Sequence, residues 1–402
     1  VRFNSLTQFD WQLALGLSAA ALALRLLFVA FYPASALASS DQLAYWSFAQ
    51  GIAAGQGFRA TVEPWLADRP PLYSLFLAGI FKAAGENELA VFVAQALLDA
   101  IAAGLWALIG VRLLGRSQGA ALGLLFVVLP HTWLFTKQIL TENLYLFLLA
   151  GLIALLVLPS RFNWRWGLSI GLIIGLIALV RREAIFLAAA ILIWTLFWRG
   201  RSEASSVWIP LGVTGLAAGF VVGLWLLRNW IDLGAPVMSS SSGWNFMVGN
   251  HPLSTGRYAL PPADWLSQFA GVTELERDRL AWALSLAWIA QSPLDWLRLF
   301  PLKLLALWGP AFNWILDGVD VLLLGGALAG LWQFRRRKDN WLFVAGLSMA
   351  LILSVTFGGF LIVGGWRYRF AVYPGVLLLV AYGVPIEQLL ARWGGRWRAH
   401  GP

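Results

Sequence analysis

The chain has 402 residues, 59% of them hydrophobic and only 12% charged. A soluble domain carries about 25% charged residues, so a soluble enzyme is excluded and a polytopic helical membrane protein is expected. There is no cysteine, which excludes disulfides and thiolate metal sites. The net charge of +9 calls for no nucleic acid, because its distribution along the chain explains it.

Apolar runs long enough to cross a bilayer as helices predict spans at 11–31, 89–111, 118–136, 141–158, 166–181, 184–198, 207–228, 318–334, 341–363 and 368–386. The first has little basic character before it and no small-residue cleavage site after it. It reads as a retained helix rather than a signal peptide. The first long polar interruption follows, from Ser39 to Tyr73. It carries Asp41, an aromatic-rich short helix (Leu43–Ile52), a turn at Gly55 and Gly57, and the run Asp68-Arg69-Pro70-Pro71. Ser-Ser-Asp before a helix also suits an N-cap, a structural use for Asp41. Pro71–Ala84 is too short to cross and should lie in the interface. Asp295–Leu316 is apolar enough to span, but Pro301 and Pro310 interrupt it, so it reads as interfacial or re-entrant. The polar piece Pro261–Arg279 reads as a loop entering a short helix.

The connections between spans alternate in charge. Arg112 and Arg116, Arg161 and Arg165, Arg199 and Arg201, Arg335 to Lys338, and Arg392, Arg396 and Arg398 fall with Arg2 on one side. Only Asp10, Glu203, Asp339 and Glu387 oppose them there. The other side carries slightly more acids than bases. The positive-inside rule therefore makes both termini cytoplasmic and turns the loops 32–88 and 229–317 outward. The fold class expected is all-α and polytopic, one domain over 1–402 with about ten or eleven spans.

Polar residues gather at the outward face. Asp41, Asp68 and Arg69 lie in the first long loop. His131, Lys137 and Glu142 lie between the third and fourth spans. Arg181, Arg182 and Glu183 form the turn between the fifth and sixth. Arg228 and Asn229 end the seventh span, Lys303 lies in the Pro-broken segment, and Arg367 and Arg369 open the last span. Ionisable groups at such a depth are expensive and pair or serve a site. Arginines and lysines converging with a few carboxylates suit an anionic phosphate leaving group and an acid that takes a proton. His131, His251 and His400 lack zinc spacing, and no nucleotide-binding glycine motif is present. Arg25 and Asp99, both inside spans, read as an intramembrane ion pair.

Asp41-Gln42-x-x-Tyr45, Gly55-Gln56-Gly57 and Arg69-Pro70-Pro71-Leu72-Tyr73 together resemble the first outer loop of the GT-C glycosyltransferases. The likeness is to bacterial relatives of the protein O-mannosyltransferases and of the lipid A aminoarabinose transferase. It extends to Thr141-Glu142-Asn143-Leu144-Tyr145, Arg181-Arg182-Glu183, Arg228-Asn229, Gly249-Asn250-His251-Pro252 with Gly256, and Arg367-Tyr368-Arg369 with Pro374. Where relatives often have Asp-Glu, this chain has Asp41-Gln42, which argues against a role for paired carboxylates or a metal there. The resemblance implies inverting transfer of a sugar from a polyprenyl-phosphate donor to a lipid, glycan or protein acceptor, outside a bacterial inner membrane. On it, Asp41 is the base. Arg69, Arg182, Arg228, Lys303, Arg367 and Arg369 bind donor phosphate, while Tyr45, Tyr73, His131, Glu142 and Glu183 serve the acceptor or support the site. No cofactor and no nucleic-acid partner are expected beside the membrane lipids. A transporter or lipid-linked-sugar flippase is the alternative, and a non-catalytic scaffold a third. Repeats and midplane polar sites, usual in transporters, are not evident.

Overall fold

The structure is a computed structural model. It describes residues 4–32, 39–62, 65–159, 163–182, 188, 190–193, 208–311, 313–333 and 341–383. In chain order the helices are α1 (Gln8–Phe31), α2 (Ser40–Ala53), α3 (Leu72–Ala84), α4 (Glu88–Leu114), α5 (Arg116–Val128), α6 (Pro130–Thr136), α7 (Glu142–Val157) and α8 (Trp164–Val180). After these come α9 (Trp208–Leu233), α10 (Ser242–Met247), α11 (Ala263–Ser267), α12 (Glu274–Gln291), α13 (Pro293–Trp308), α14 (Trp314–Trp332) and α15 (Trp341–Leu361). A 3-10 turn (Trp366–Ala371) leads into α16 (Tyr373–Gly383). The protein is an all-α polytopic membrane protein, with no strand among the described residues.

Every expected span has a helix except 184–198, most of which lies outside the described residues. By length and composition α1, α4, α9, α14 and α15 can each cross a membrane alone. The expected span 118–136 is broken instead: α5 and α6 meet at a 48° bend. Pro130 causes it, since it supplies no N–H to the α5 ladder. Four further apolar helices, α3, α7, α8 and α16, are shorter. In the last span the 3-10 turn replaces the first helical residues.

Small residues let helices approach where lipid supplies no hydrophobic drive between them. Gly167, Gly171 and Gly175 recur every four residues on α8, and a Cβ on the first two would sit 2.2 Å and 2.4 Å from the Pro210 and Thr214 carbonyl oxygens of α9. The Thr214 hydroxyl donates to the Gly167 carbonyl at 3.0 Å. α4 is the central span. Its Trp106 is fully buried, with its ring centroid 6.5 Å from that of Phe126 in α5.

The intramembrane pair expected from the sequence is present. Arg25 Nε lies 2.5 Å from Asp99 Oδ2, and neither side chain is exposed. The same guanidinium donates to the Val127 carbonyl at 2.5 Å, the Phe126 carbonyl at 3.2 Å and the Thr132 hydroxyl at 2.7 Å. These are the carbonyls that the bend frees at the end of α5, so Arg25 satisfies groups that no water can reach.

The segment 295–316 is resolved into two elements. α13 runs through Pro301 and stops at Gly309, and Leu316 belongs to α14. The expected short helix after Pro261 becomes two: α11, then the 18-residue α12. A Thr273/Glu276 capping box starts α12.

Candidate active site

Helix α2 begins with a capping box. The Ser39 hydroxyl accepts the Gln42 amide at 3.4 Å, and the Gln42 side chain accepts the Ser39 amide at 2.8 Å. The cap role considered for Asp41 is therefore taken by Ser39, and the Gln that replaces the usual Glu completes the box. This leaves Asp41 free to face other segments. After α2 the chain turns at Gly55 and Gly57, both at positive φ (77° and 75°), which glycine adopts without steric cost. It then returns across α2 so closely that a Cβ on Gly51 would lie 2.0 Å from the Arg59 carbonyl oxygen.

Asp41 meets two arginines. Arg69 Nη2 donates to Oδ1 at 2.8 Å and Arg367 Nη1 donates to Oδ2 at 3.0 Å. Arg367 comes from the 3-10 turn, and its Nε donates at 2.5 Å to Glu142, which is fully buried at the start of α7. Arg181, just past α8, donates to the Thr141 hydroxyl at 3.3 Å and lies 3.9 Å from Glu142. Its guanidinium also sits 5.0 Å from the Phe370 ring, a cation–π contact. Arg69 turns its Nε to Asp68 at 3.1 Å and its face to Tyr45 at 5.9 Å. Five separate stretches of chain thus supply one lattice of guanidiniums and carboxylates.

Burial pushes the Asp41 carboxyl up, but Arg69, Arg367 and Arg181 outweigh it and hold it below the ordinary range. Burial opposes the charge on Arg69 and Arg367, yet the carboxylates around them raise both. Burial lifts the Tyr45 phenol to about 12, so it is a neutral hydroxyl at physiological pH. The Asp41 side chain keeps 34% of its exposure, whereas Glu142 has none. Of the two acids that Arg367 bridges, only Asp41 is partly exposed.

Arg228, Lys303, Arg369 and His131 find their partners elsewhere, so the basic residues expected at one anion site are not all gathered in one place. Arg369 faces the opposite way along the turn. It donates to Asp320 at 2.6 Å and to the Leu307 and Gly309 carbonyls. The Tyr373 hydroxyl donates to the same Asp320 at 2.9 Å, and His131 lies 3.4 Å from it. His131 therefore belongs to this second cluster, beside a small cavity lined by Trp308, Leu323, Arg369 and Tyr373.

Arg228 is a loop fastener. It donates to the Phe58 carbonyl at 2.6 Å and the Leu66 carbonyl at 2.5 Å, and pairs with Asp232 at 2.9 Å. Lys303 is fully buried and donates to Asn250 at 2.8 Å and the Leu361 carbonyl at 3.2 Å. It caps the end of α15, where a cation complements the helix dipole. Gly256, at φ +85°, lets the loop lie against this point, since a Cβ there would be 2.5 Å from the Leu302 carbonyl carbon. Arg182 lies near Asp278 of α12. Tyr73 is fully buried and donates to Gln95 at 2.8 Å. Gln95 in turn holds the Thr136 and Gln138 carbonyls at 3.1 Å and 3.0 Å, and so fixes the turn that delivers Glu142. Glu142 does not pair with Lys137, which donates instead to the Val29 carbonyl at 3.1 Å. Glu183 lies outside the described residues.

Sequence reasoning passed over Gln95, Asp320 and the acidic face of α12, and gave Asn250 no partner. Asp320 carried a readable signal, an acid inside an apolar span. The others are polar residues whose partners lie far away in the chain. Among the described residues no three His, Asp or Glu side chains are grouped to hold a metal ion.

Comparison with known proteins agrees with this architecture. The family described as dolichyl-phosphate-mannose-protein mannosyltransferase matches residues 68–225. ArnT from Cupriavidus metallidurans, solved bound to undecaprenyl phosphate, is similar with a TM-score of 0.57 at 12% identity, over 94% of this chain and 60% of that one. The oligosaccharyltransferase AglB from Archaeoglobus fulgidus, solved with an inhibitory peptide and a dolichol-phosphate, is similar with a TM-score of 0.56 at 13% identity, over 98% of this chain and 52% of that one. In its apo form, the Archaeoglobus fulgidus oligosaccharyltransferase reaches a TM-score of 0.58 at 14% identity, over 96% of this chain and 51% of that one. The chain has the fold of the GT-C membrane glycosyltransferases and spans between half and three fifths of the length of these proteins. No curated protein matches it significantly in sequence.

Proposed function

We propose that this chain transfers a sugar from a polyprenyl-phosphate donor to an acceptor hydroxyl, with inversion at the anomeric carbon and Asp41 as general base. One observation carries the reading: a partly exposed carboxylate, Asp41, is held between two arginines, Arg69 and Arg367, with Arg181 behind them.

The chemistry follows from that arrangement. The acceptor oxygen attacks the anomeric carbon, and the bond from that carbon to the phosphate oxygen breaks. The polyprenyl phosphate leaves as an anion, so it needs positive charge rather than a strong acid. Arg69 and Arg367 can supply that charge through paired N–H donors. Asp41 takes the acceptor proton. Asp41 engages both arginines, and they suppress its basicity. A phosphate that draws the arginines away loosens their hold on Asp41 and raises its affinity for a proton. Donor binding and base activation are thereby coupled. Glu142, fixed by burial, holds Arg367 in reach of both partners.

Bases crowded on one side of the spans support cytoplasmic termini, with the site on the far side of a bacterial inner membrane. The sugar is a hexose or pentose on this reading, and the acceptor a lipid, glycan or protein.

The test uses the purified protein in nanodiscs with a panel of synthetic polyprenyl-phosphate hexoses and pentoses, and measures released polyprenyl phosphate. Turnover that Asp41→Asn abolishes supports the reading. Full turnover by a folded Asp41→Asn variant removes it, and flux of lipid-linked sugar across liposomes carrying the protein, without transfer, would favour a flippase.

A further inference from the structure

Helix α12 grips the loop that presents Arg69. Its Glu274 accepts the Leu66 amide at 2.7 Å, the Ala67 amide at 2.8 Å and the Ser240 hydroxyl. One turn further on, the Arg277 guanidinium lies between two indoles, 4.8 Å from Trp65 and 4.5 Å from Trp244. Its Nη1 is 3.9 Å from Asp68 Oδ1. Asp278, the next residue, accepts the Gly243 amide at 2.5 Å. The Asp68 carbonyl is held by the Ser239 and Ser241 hydroxyls at 2.7 Å and 2.6 Å. Asp68 therefore cannot move far, and its carboxylate stands between Arg277 on one side and Arg69 on the other.

Arg69 is shared between two carboxylates, Asp68 through Nε and Asp41 through Nη2. How strongly each anion pulls on it depends on how far that anion is neutralised elsewhere. Arg367 neutralises Asp41 from the far side, and Arg277 is placed to do the same for Asp68. Cation–π contacts with two indole rings hold the guanidinium beside the carboxylate. A lysine would keep the charge but not the planar guanidinium.

We propose that Arg277 is a positioning residue for transfer: by engaging Asp68 it leaves Arg69 available to Asp41 and to the donor phosphate. The long loop 229–317 then sets the charge of a site to which it contributes no reacting atom. This rests on the reading that Arg69 meets the phosphate. The effect passes through Asp68, so removing Asp68 should make Arg277 dispensable, which simple packing by Arg277 would not allow.

The experiment measures binding of a short-chain polyprenyl phosphate to the full chain in nanodiscs, by tryptophan fluorescence, and donor KM and kcat where turnover is present. Arg277→Met should weaken phosphate binding and raise donor KM roughly threefold to tenfold. Asp68→Asn should bind as well as wild type or better. The double variant should return to the Asp68→Asn value. Arg277→Gln repeats the test if the Met variant fails to fold, and a double variant as impaired as Arg277→Met overturns the proposal. Wild type that binds no polyprenyl phosphate ends the phosphate reading itself. Wild type that binds, beside an Arg277→Met variant that binds equally well, ends this inference alone.

Discussion

Two arginine–carboxylate nodes in this molecule are built from the same groups and differ in what they leave open. Around Arg25 every guanidinium nitrogen has a partner. The guanidinium meets Asp99, two freed helix carbonyls and the Thr132 hydroxyl, and none of it reaches solvent. Around Asp41, side chains remain partly exposed, 34% for Asp41 and 29% for Arg367, and Arg69 is divided between two acids. The first node mends a broken span. The second keeps its charges partly exposed, and on the proposed reading an incoming anion rearranges them. A buried ion pair is therefore weak evidence of function by itself, and incomplete satisfaction beside accessible surface is the better guide.

The contrast can be broken experimentally. The largest effect is expected at Asp41: Asp41→Asn should lower transfer by roughly 10²–10⁴-fold, with a thermal unfolding midpoint close to that of wild type at neutral pH. A large fall in that midpoint would make Asp41 a structural residue like Asp99. Arg25→Met should do the reverse. It leaves Asp99 and the α5 carbonyls unpaired and should cost about 3–5 kcal/mol of stability, read from denaturation in detergent, with turnover per folded molecule unchanged.

Arg367→Lys keeps the charge but cannot reach Asp41 and Glu142 together. It should lose about 1.5–3 kcal/mol of transition-state stabilisation, seen as a fall in kcat/KM with the fold intact. An unchanged kcat/KM would show that the bridge to Glu142 is dispensable.

The smallest effect concerns Lys303, whose burial lowers its ammonium to about 8 from 10.5. A lowered lysine is a cost while it is charged. That cost is fully present below pH 8 and is relieved as the pH rises toward 10.5, because the unfolded chain then binds the proton more readily than the folded one. Relative to Lys303→Met, the wild-type protein should gain stability between pH 8 and about 10. A difference that does not vary with pH would mean that Asn250 and the end of α15 already offset the charge.

Much of the plan was legible without coordinates. Spans at 11–31, 89–111 and 341–363 became helices because their composition leaves a bilayer as the only compatible solvent. Asp41 and Glu142 stood out as charges where charge is costly. What could not be read was partnership. Lys303, Arg228 and Arg369 look as eligible for an anion as Arg367 does, yet each is consumed by a carbonyl or an acid close to it in space. Asp320 and Asn250 chose two of those partners, and both lie far from them in the chain.

Local chemistry is written in consecutive residues, so the amino-acid order alone determined the membrane class and the helical content, whereas the Ser39/Gln42 cap and the break at Pro130, though local, were not read from it. Which arginine meets which carboxylate was decided only by packing. Asp41 and Arg367 are 326 positions apart, and they meet because α2, α7 and the 3-10 turn converge at one end of the bundle. Charge, burial and the number of competing partners at that point are properties of the assembled helices.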